Sequence, residues 1–307
     1  MPTYGMGEAI REMRMRLGYT QEELAYGICT AGTLSKIENG KAIISKHVFE
    51  ALCSKMPGIH HVWVSCDTKA EMERSKLCKQ ILLYLELRKM EEANAAMEQY
   101  RKRKEKNNPF CMQFDLYTQA IYQGIMKKDE GHILPKLKKA LMLTMPDYKE
   151  RLRAKKKAVL LTYDEVYILS NMGIAYAKKD SIGMAYGIFC FLKEYIRQQK
   201  LDISESMKIN LMVIGNLAWL LERQGQFREA VKQCDECIEN CFLAGKYTVL
   251  PYLLCIKSRC LTAIGNLQTA KKSRQQAKAI LGIRNEVRSY GGFEEFYKAK
   301  EPIYVTF

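Results

Sequence analysis

The sequence predicts an all-α protein, a small N-terminal domain of five helices followed by an array of helical hairpins. Three observations carry that prediction. Apolar residues recur at helical spacing among strong helix formers, alternating segments are few, and only seven prolines interrupt 307 residues. Small residues recur twelve positions apart, with a turn signal at one phase between them. Residues 20–40, TQEELAYGICTAGTLSKIENG, carry start and stop signals for two short helices joined by a tight turn.

In chain order, residues 7–17 form a first helix with Ile10, Met13 and Leu17 on one face. Thr20 caps the second, and Glu23 reaches back to it in a reciprocal capping box. Leu24, Ala25 and Ile28 supply its buried side. The third helix turns Leu34 and Ile37 inward and Thr30, Gly32, Thr33, Ser35 and Lys36 mostly outward. Asn39-Gly40 stops it, because those residues best tolerate a left-handed backbone. Ser45 caps a fourth helix with Val48, Phe49, Leu52 and Cys53 facing the core; Pro57-Gly58 breaks it, and residues 59–63 complete the domain. A linker is placed near residues 65–69. The expected domains are 1–66, a connecting segment 67–76 that begins the first repeat helix, the repeat array 77–283, and a C-terminal cap and tail 284–307.

Leu17-Gly18, Thr20-Gln21-Glu22-Glu23-Leu24-Ala25 and Leu34-Ser35-Lys36-Ile37-Glu38-Asn39-Gly40 resemble the DNA-binding domain of the Xre/lambda-repressor class of helix-turn-helix proteins. Gly27-Ile28-Cys29 makes the connection one residue shorter than in phage repressors. That variant resembles the Rgg and PlcR-type regulators, which couple such a head to helical repeats that bind a signalling peptide. The resemblance is specific over about the first 65 residues and looser beyond. It implies double-stranded DNA as a partner, contacted by Gln21, Thr30, Ala31, Gly32, Thr33, Ser35, Lys36, Asn39 and Lys41. Ala31 and Gly32 depart from typical readers and offer only a methyl or backbone approach. Specificity is therefore expected from Thr33, Lys36 and DNA shape. A homodimer is expected, since such heads read paired half-sites.

Net charge is weaker support. The chain has 49 Lys/Arg against 34 Asp/Glu, a net charge of +15, yet residues 1–66 hold seven basic and six acidic residues. The basic excess belongs to the helical body, where it attracts acidic partners or serves solubility.

Downstream, Gly173 and Ala185, Ala218 and Ala230, and Ser258 and Ala270 are each twelve apart, with turns at Asp180, Gly225 and Gly265. This pattern resembles the tetratricopeptide repeat, whose small residues let paired helices approach closely, and which builds a right-handed superhelix. Ile81 and Ala93 keep the spacing. Tyr122 and Leu134 would occupy the same places but are too large, and that unit carries Pro135. Five hairpins are expected over residues 69–281. The basic stretches 101–106 and 149–157 read as loops or solvated helix ends. After Gly282 the pattern fades, and residues 302–307 form a tail of no readable role.

The tetratricopeptide phase puts Tyr167, Asn171, Lys178, Asn216, Trp219, Arg223, Tyr252 and Arg259 on the concave face. Asn171 and Asn216 recur at one position, where an amide can clamp a peptide backbone through donor and acceptor together. Arg223 and Arg259 suit a ligand carboxylate, and Tyr167, Trp219 and Tyr252 offer apolar contacts. A short peptide is the ligand the resemblance implies. The alternative is a DNA-tethered interaction module whose repeats grip a protein.

Other chemistry finds little foothold. Cys234, Cys237 and Cys241 share a helix face, but at positions that pack inside a hairpin, where cysteine acts as a small hydrophobe. His60-His61 and His132 fit no metal-ligand spacing, and neither a nucleophilic triad nor a phosphate loop appears. No enzyme activity, metal or cofactor is expected. No apolar run reaches the roughly 18 residues of a membrane helix. With eleven scattered cysteines read as reduced thiols and no signal peptide, the expected compartment is the cytoplasm.

Overall fold

The structure is a computed structural model and describes residues 6–56, 69–105, 107–127, 130–153, 160–198, 203–245, 247–284, 292–300 and 302. Among these residues it is helical throughout, with sixteen α-helices and no strand. The fifth head helix expected at residues 59–63 and the linker at 65–68 lie outside the described residues.

The head begins with α1 (Met6–Arg16), α2 (Gln21–Ala25), α3 (Ala31–Glu38) and α4 (Lys46–Lys55). Each start is chemically marked. Thr20 Oγ1 accepts from the Glu23 N–H at 3.1 Å while the Glu23 carboxylate accepts from the Thr20 N–H at 2.9 Å, so both halves of the capping box are made. Thr30 and Ser45 cap α3 and α4 by the first half alone, their side chains accepting the N–H three residues on. Asn39 ends α3 and Gly40 follows in the left-handed region at φ 68°. The apolar faces of the four helices close on one core built on Ile10, Leu24, Leu34, Ile37, Phe49, Leu52 and Met56.

Five consecutive helix pairs follow: α5 (Lys69–Glu86) with α6 (Met90–Arg103), α7 (Pro109–Ile125) with α8 (Glu130–Met142), α10 (Tyr163–Lys178) with α11 (Ile182–Gln198), α12 (Ile203–Arg223) with α13 (Phe227–Ala244), and α14 (Leu250–Ala263) with α15 (Leu267–Arg284). A short α9 (Tyr148–Arg153) precedes the third pair, and α16 (Phe293–Ala299) follows the last. The chain divides into two compact units. The first holds Met1–Tyr84, Met90–Leu169 and Gln199–Asp202; the second holds Leu85–Lys89, Ser170–Gln198 and Ile203–Phe307.

The small residues do what their spacing requires. A Cβ on Gly173 would lie 2.8 Å from the buried Phe189 ring, so a larger residue would have to displace that ring where α10 meets α11. Ala218 and Ala230 are fully buried, and Ser258 Oγ donates to the Ala270 carbonyl at 2.8 Å. Asp180, Gly225 and Gly265 all adopt positive φ at the expected turns, and Arg88 does so seven residues after Ile81. The second pair departs from the expected register. Its positive-φ residue is Lys127, and the small residue seven before it is the buried Ala120, not the half-buried Tyr122. Pro135 is accommodated on the exposed side of α8, in its second turn.

Of the two basic stretches, residues 101–103 are the exposed last turn of α6, a solvated helix end, and Arg101 and Lys104 also neutralise Asp115, a carboxylate buried on α7. Residues 148–153 form α9, which packs on the head as described below; residues 154–157 lie outside the described residues.

Candidate functional site

The outward side of α3 is the candidate nucleic-acid interface. Gly32, Thr33, Lys36, Asn39 and Lys41 are exposed, and Ala31 and Ser35 are half-buried. Several of their polar groups already have local duties. Thr30 Oγ1 lies 2.8 Å from Thr33 Oγ1 and accepts the Thr33 N–H, and Asn39 Nδ2 donates to the Ser35 carbonyl at 2.7 Å. The surface offered is therefore low, with backbone near it and the Lys36 and Lys41 cations at its edge. Such a surface allows close approach to a duplex more than it supplies a dense set of base-reading side chains.

Beneath this face lies a network that residue spacing did not disclose. Arg14 Nε and Nη2 donate to the two Glu38 oxygens at 2.6 and 2.9 Å, and Arg14 Nη1 donates to the Tyr19 carbonyl at 2.8 Å. Gln21 Nε2 donates to Glu38 at 2.7 Å. Gln21, expected to bond a DNA phosphate, thus spends an amide hydrogen inside the head. Glu38 is 4% exposed. Burial alone would push its carboxyl up, but the hydrogen bonds from Arg14 and Gln21, with Arg14's charge, hold it below its ordinary value.

The turn between α2 and α3 is gripped by the first unit's helical body. Gly27 has φ 70°, and a Cβ there would fall 2.1 Å from the Thr144 carbonyl oxygen. The short connection needs glycine twice over, for backbone freedom and for close approach. Tyr26 hydrogen-bonds Asp147, and the Arg151 guanidinium lies 3.3 Å from its ring centroid. On the other side Lys55 Nζ donates to the Tyr26 carbonyl at 2.5 Å. Arg151, within a stretch expected to be a loop or solvated helix end, is instead drawn onto the head, and the Asp147/Arg151 pair one helical turn apart is the local trace of this clasp.

Lys55 is 2% exposed, and burial, only partly offset by Glu165's charge, pushes its ammonium down to about 8. The folded state therefore holds fewer protons than the unfolded state between about 8 and the ordinary 10.5, and stability rises with pH across that window. Denaturant titrations at pH 7 and pH 9 are expected to show a gain of about 1 kcal/mol in the wild type that Lys55→Met lacks. Parallel pH profiles for the two proteins would refute the assignment.

In the second unit, α16 covers residues predicted to meet a ligand. The Trp219 indole N–H donates to the Lys300 carbonyl at 2.7 Å. Tyr252 packs edge-on to Phe296, with centroids 5.2 Å apart. Arg259 makes a two-pronged pair with Glu222 at 2.5 and 2.8 Å, and its Nη1 donates to the Tyr297 carbonyl at 3.0 Å. Arg259, expected to meet a ligand carboxylate, is here paired with that of Glu222. Trp219, at 1% exposure, is a core residue in this conformation. Arg223 is exposed, lies 5.4 Å from the Trp219 ring and pairs with Asp180 at 3.6 Å. Lys178 is half-buried, and Asn171 and Asn216 are buried at 5% and 0% exposure. Tyr167 belongs to the first unit, where it stacks on Tyr117. The missed signal was Phe293, Phe296 and Tyr297, spaced three and four apart just where the repeat pattern fades.

Cys234, Cys237 and Cys241 are fully buried among apolar side chains, as their packing positions predicted. His60 and His61 lie outside the described residues. No helix among the described residues is long and apolar enough to cross a membrane.

Residues 10–64 match the helix-turn-helix family. No curated protein matches the chain. The fold is similar over nearly the whole chain to Bacillus thuringiensis PlcR solved with the peptide PapR7 and DNA. The TM-score is 0.59 at 18% identity, covering 97% of this chain and 99% of that one. Streptococcus suis ComR matches at TM-score 0.51 and 15% identity, with 96% and 94% covered. S. thermophilus ComR, solved with DNA and its signalling peptide ComS, matches at TM-score 0.50 and 13% identity, with 96% and 98% covered.

Proposed function

We propose that the protein is a DNA-binding transcription regulator whose helical body binds a short peptide and thereby alters DNA binding. The observation that carries the DNA half is the exposed face of α3, with Gly32, Thr33 and Lys36 outward on a helix capped at both ends. The α3 helix enters a major groove with Thr33 and Lys36 toward base edges, and Thr30, Ala31, Ser35, Asn39 and Lys41 nearer the backbone. Gln21 keeps one amide hydrogen for a phosphate. Two copies read half-sites about 34 Å apart, which makes the working form a homodimer, and the cytoplasm is where it acts.

Support for the peptide half is the shared fold with PlcR and ComR, which were solved with peptide and DNA. Lys178 and Arg223 supply its accessible polar contacts here. Asn171, Asn216, Trp219, Tyr252 and Tyr167 come into play only where their covering side chains move. Selection of a preferred duplex from random DNA, followed by fluorescence-anisotropy titration, tests the head. Lys36→Ala is expected to cost about 1–3 kcal/mol on the selected site and little on scrambled DNA; equal loss on both would make Lys36 a phosphate contact. Native mass spectrometry of protein from its own host tests the body: a co-purified short peptide supports the reading, and a stoichiometric protein partner overturns it.

A further inference from the structure

Within the first unit, α4 of the head faces α5, α6 and α7 across a cavity of about 310 Å³. His47, Arg74, Cys78, Tyr100, Cys111 and Asp164 contribute to its lining. Cys111 Sγ lies 3.6 Å from His47 Nε2. Cys111 is also the third residue of α7, at the positive end of that helix, and its N–H bonds the Asn108 cap. The Tyr100 hydroxyl donates to the Cys111 carbonyl at 3.3 Å, and Cys78 lines the same cavity as both. Arg74 is nine-tenths buried, and its Nε hydrogen has no acceptor among the described residues, which leaves a polar group unspent beside the cavity.

We propose that Cys111 and Cys78 form a dithiol site that reacts with a hydroperoxide, with His47 holding Cys111 in its reactive form. Nothing in the proposed DNA and peptide binding uses these residues, so the site stands or falls apart from that reading. Burial alone would push the Cys111 thiol up, but the hydrogen bond and charge of His47 outweigh it and hold the thiol below its ordinary value. Glu50 and Glu105 face His47 and favour its protonated form, after the Cys111 contact itself. Cys78, by contrast, is pushed up to about 12, chiefly by burial. The asymmetry assigns roles: Cys111 attacks and Cys78 resolves.

In the first step the Cys111 sulfur attacks one peroxide oxygen. The S–O bond forms as the O–O bond breaks, and the departing hydroxide of hydrogen peroxide takes the proton that Cys111 gave up to His47 and leaves as water. Cys111 is oxidised to a sulfenic acid and the peroxide is reduced. In the second, the Cys78 sulfur attacks the Cys111 sulfur. The S–S bond forms, the S–O bond breaks, and water leaves with the Cys78 proton. The sum is two thiols and one hydrogen peroxide giving one disulfide and two waters, or one water and one alcohol for an organic hydroperoxide. The product no longer presents a thiolate to His47, so oxidation removes a contact between the head's α4 and the helical body.

The test uses the full-length protein, reduced, freed of reductant and treated with hydrogen peroxide. Remaining thiols are alkylated in denaturant, and the peptides are mapped by mass spectrometry. Cys111 is expected to oxidise about tenfold faster than Cys190, although Cys190 is the more exposed of the two, because a thiolate is the nucleophile. A peptide cross-linked between Cys78 and Cys111 is expected, and Cys78→Ser should halt the reaction with one oxygen added at Cys111. His47→Gln should move the pH profile of Cys111 alkylation upward. Oxidation ordered by exposure, with Cys190 ahead of Cys111, overturns the proposal, and this wild-type order decides even where the variant does not fold. A link from Cys111 to another cysteine overturns the role of Cys78, and an unmoved alkylation profile in folded His47→Gln overturns that of His47.

Discussion

Replacing Glu38 with alanine is expected to destabilise the head by about 3–5 kcal/mol, because it leaves the Arg14 guanidinium buried without a counter-charge. The side chains of the pair are 12% and 1% exposed, so water cannot take over the lost hydrogen bonds. The loss spreads. Arg14 ties α1 to the end of α3, its third hydrogen bond holds the Tyr19 carbonyl at the entry to α2, and Gln21 hangs on the same carboxylate. Hydrogen exchange in the full chain should show α1 and α3 opening together, with the second unit's helices unchanged. Glu38→Gln keeps the acceptor and loses the charge, and should fall between wild type and alanine. Since the folded carboxyl is held below its ordinary value, its contribution is complete above the unfolded value near 4.5 and is lost as pH falls through the folded one. Loss of protection worth less than about 1 kcal/mol in Glu38→Ala would show the network to be incidental.

In the second unit the corresponding experiment is Arg259→Met, also expected to cost about 3–5 kcal/mol, here by stranding the Glu222 carboxylate at 4% side-chain exposure. The same change removes the hydrogen bond to the Tyr297 carbonyl and the guanidinium's contact with the Tyr297 ring, so α16 should loosen from α14. Trp219 reports this directly, because its indole N–H is bonded to Lys300 just beyond α16. The chain has two tryptophans, so in a Trp63→Phe background the emission should shift to the red as Lys300 departs. Arg259→Met combined with Glu222→Leu separates charge from packing. Replacing both partners by apolar groups should recover most of the stability without restoring the α16 contact. If the double variant is no more stable than Arg259→Met, the cost lies in packing and not in the stranded carboxylate.

The parts of this protein legible in its residues are those governed by neighbours three and four apart. Thr20 with Glu23, Thr30 with Thr33 and Asn39 with Gly40 mark helix ends by bonds that close within one turn. The hairpin turns at Asp180, Gly225 and Gly265 were legible because a left-handed residue recurs seven positions after a small one. In the second pair the same spacing counted from Tyr122 places the turn two residues late. Tyr122 kept the spacing to Leu134, but the turn falls at Lys127, and no count along the chain reveals which residue takes positive φ when none of the candidates is glycine. The candidate α3 face was equally readable, as the outward complement of Leu34 and Ile37. What spacing could not supply was which of its polar groups were already occupied.

The sequence by itself determined an all-helical chain, a helix-turn-helix head, paired helices with tight crossings and buried cysteines. Each is a consequence of side-chain size, helix period and capping chemistry acting over a few residues. Only the tertiary structure decided that Gln21 serves Glu38, that Gly27 abuts Thr144, that Arg151 stacks on Tyr26, and that α16 covers Trp219 and engages Arg259. The hydrogen bonds among these contacts join residues from 17 to 81 positions apart. A buried charge takes whichever partner the fold brings within about 3 Å, and that choice is made by packing across elements, not by any period within one.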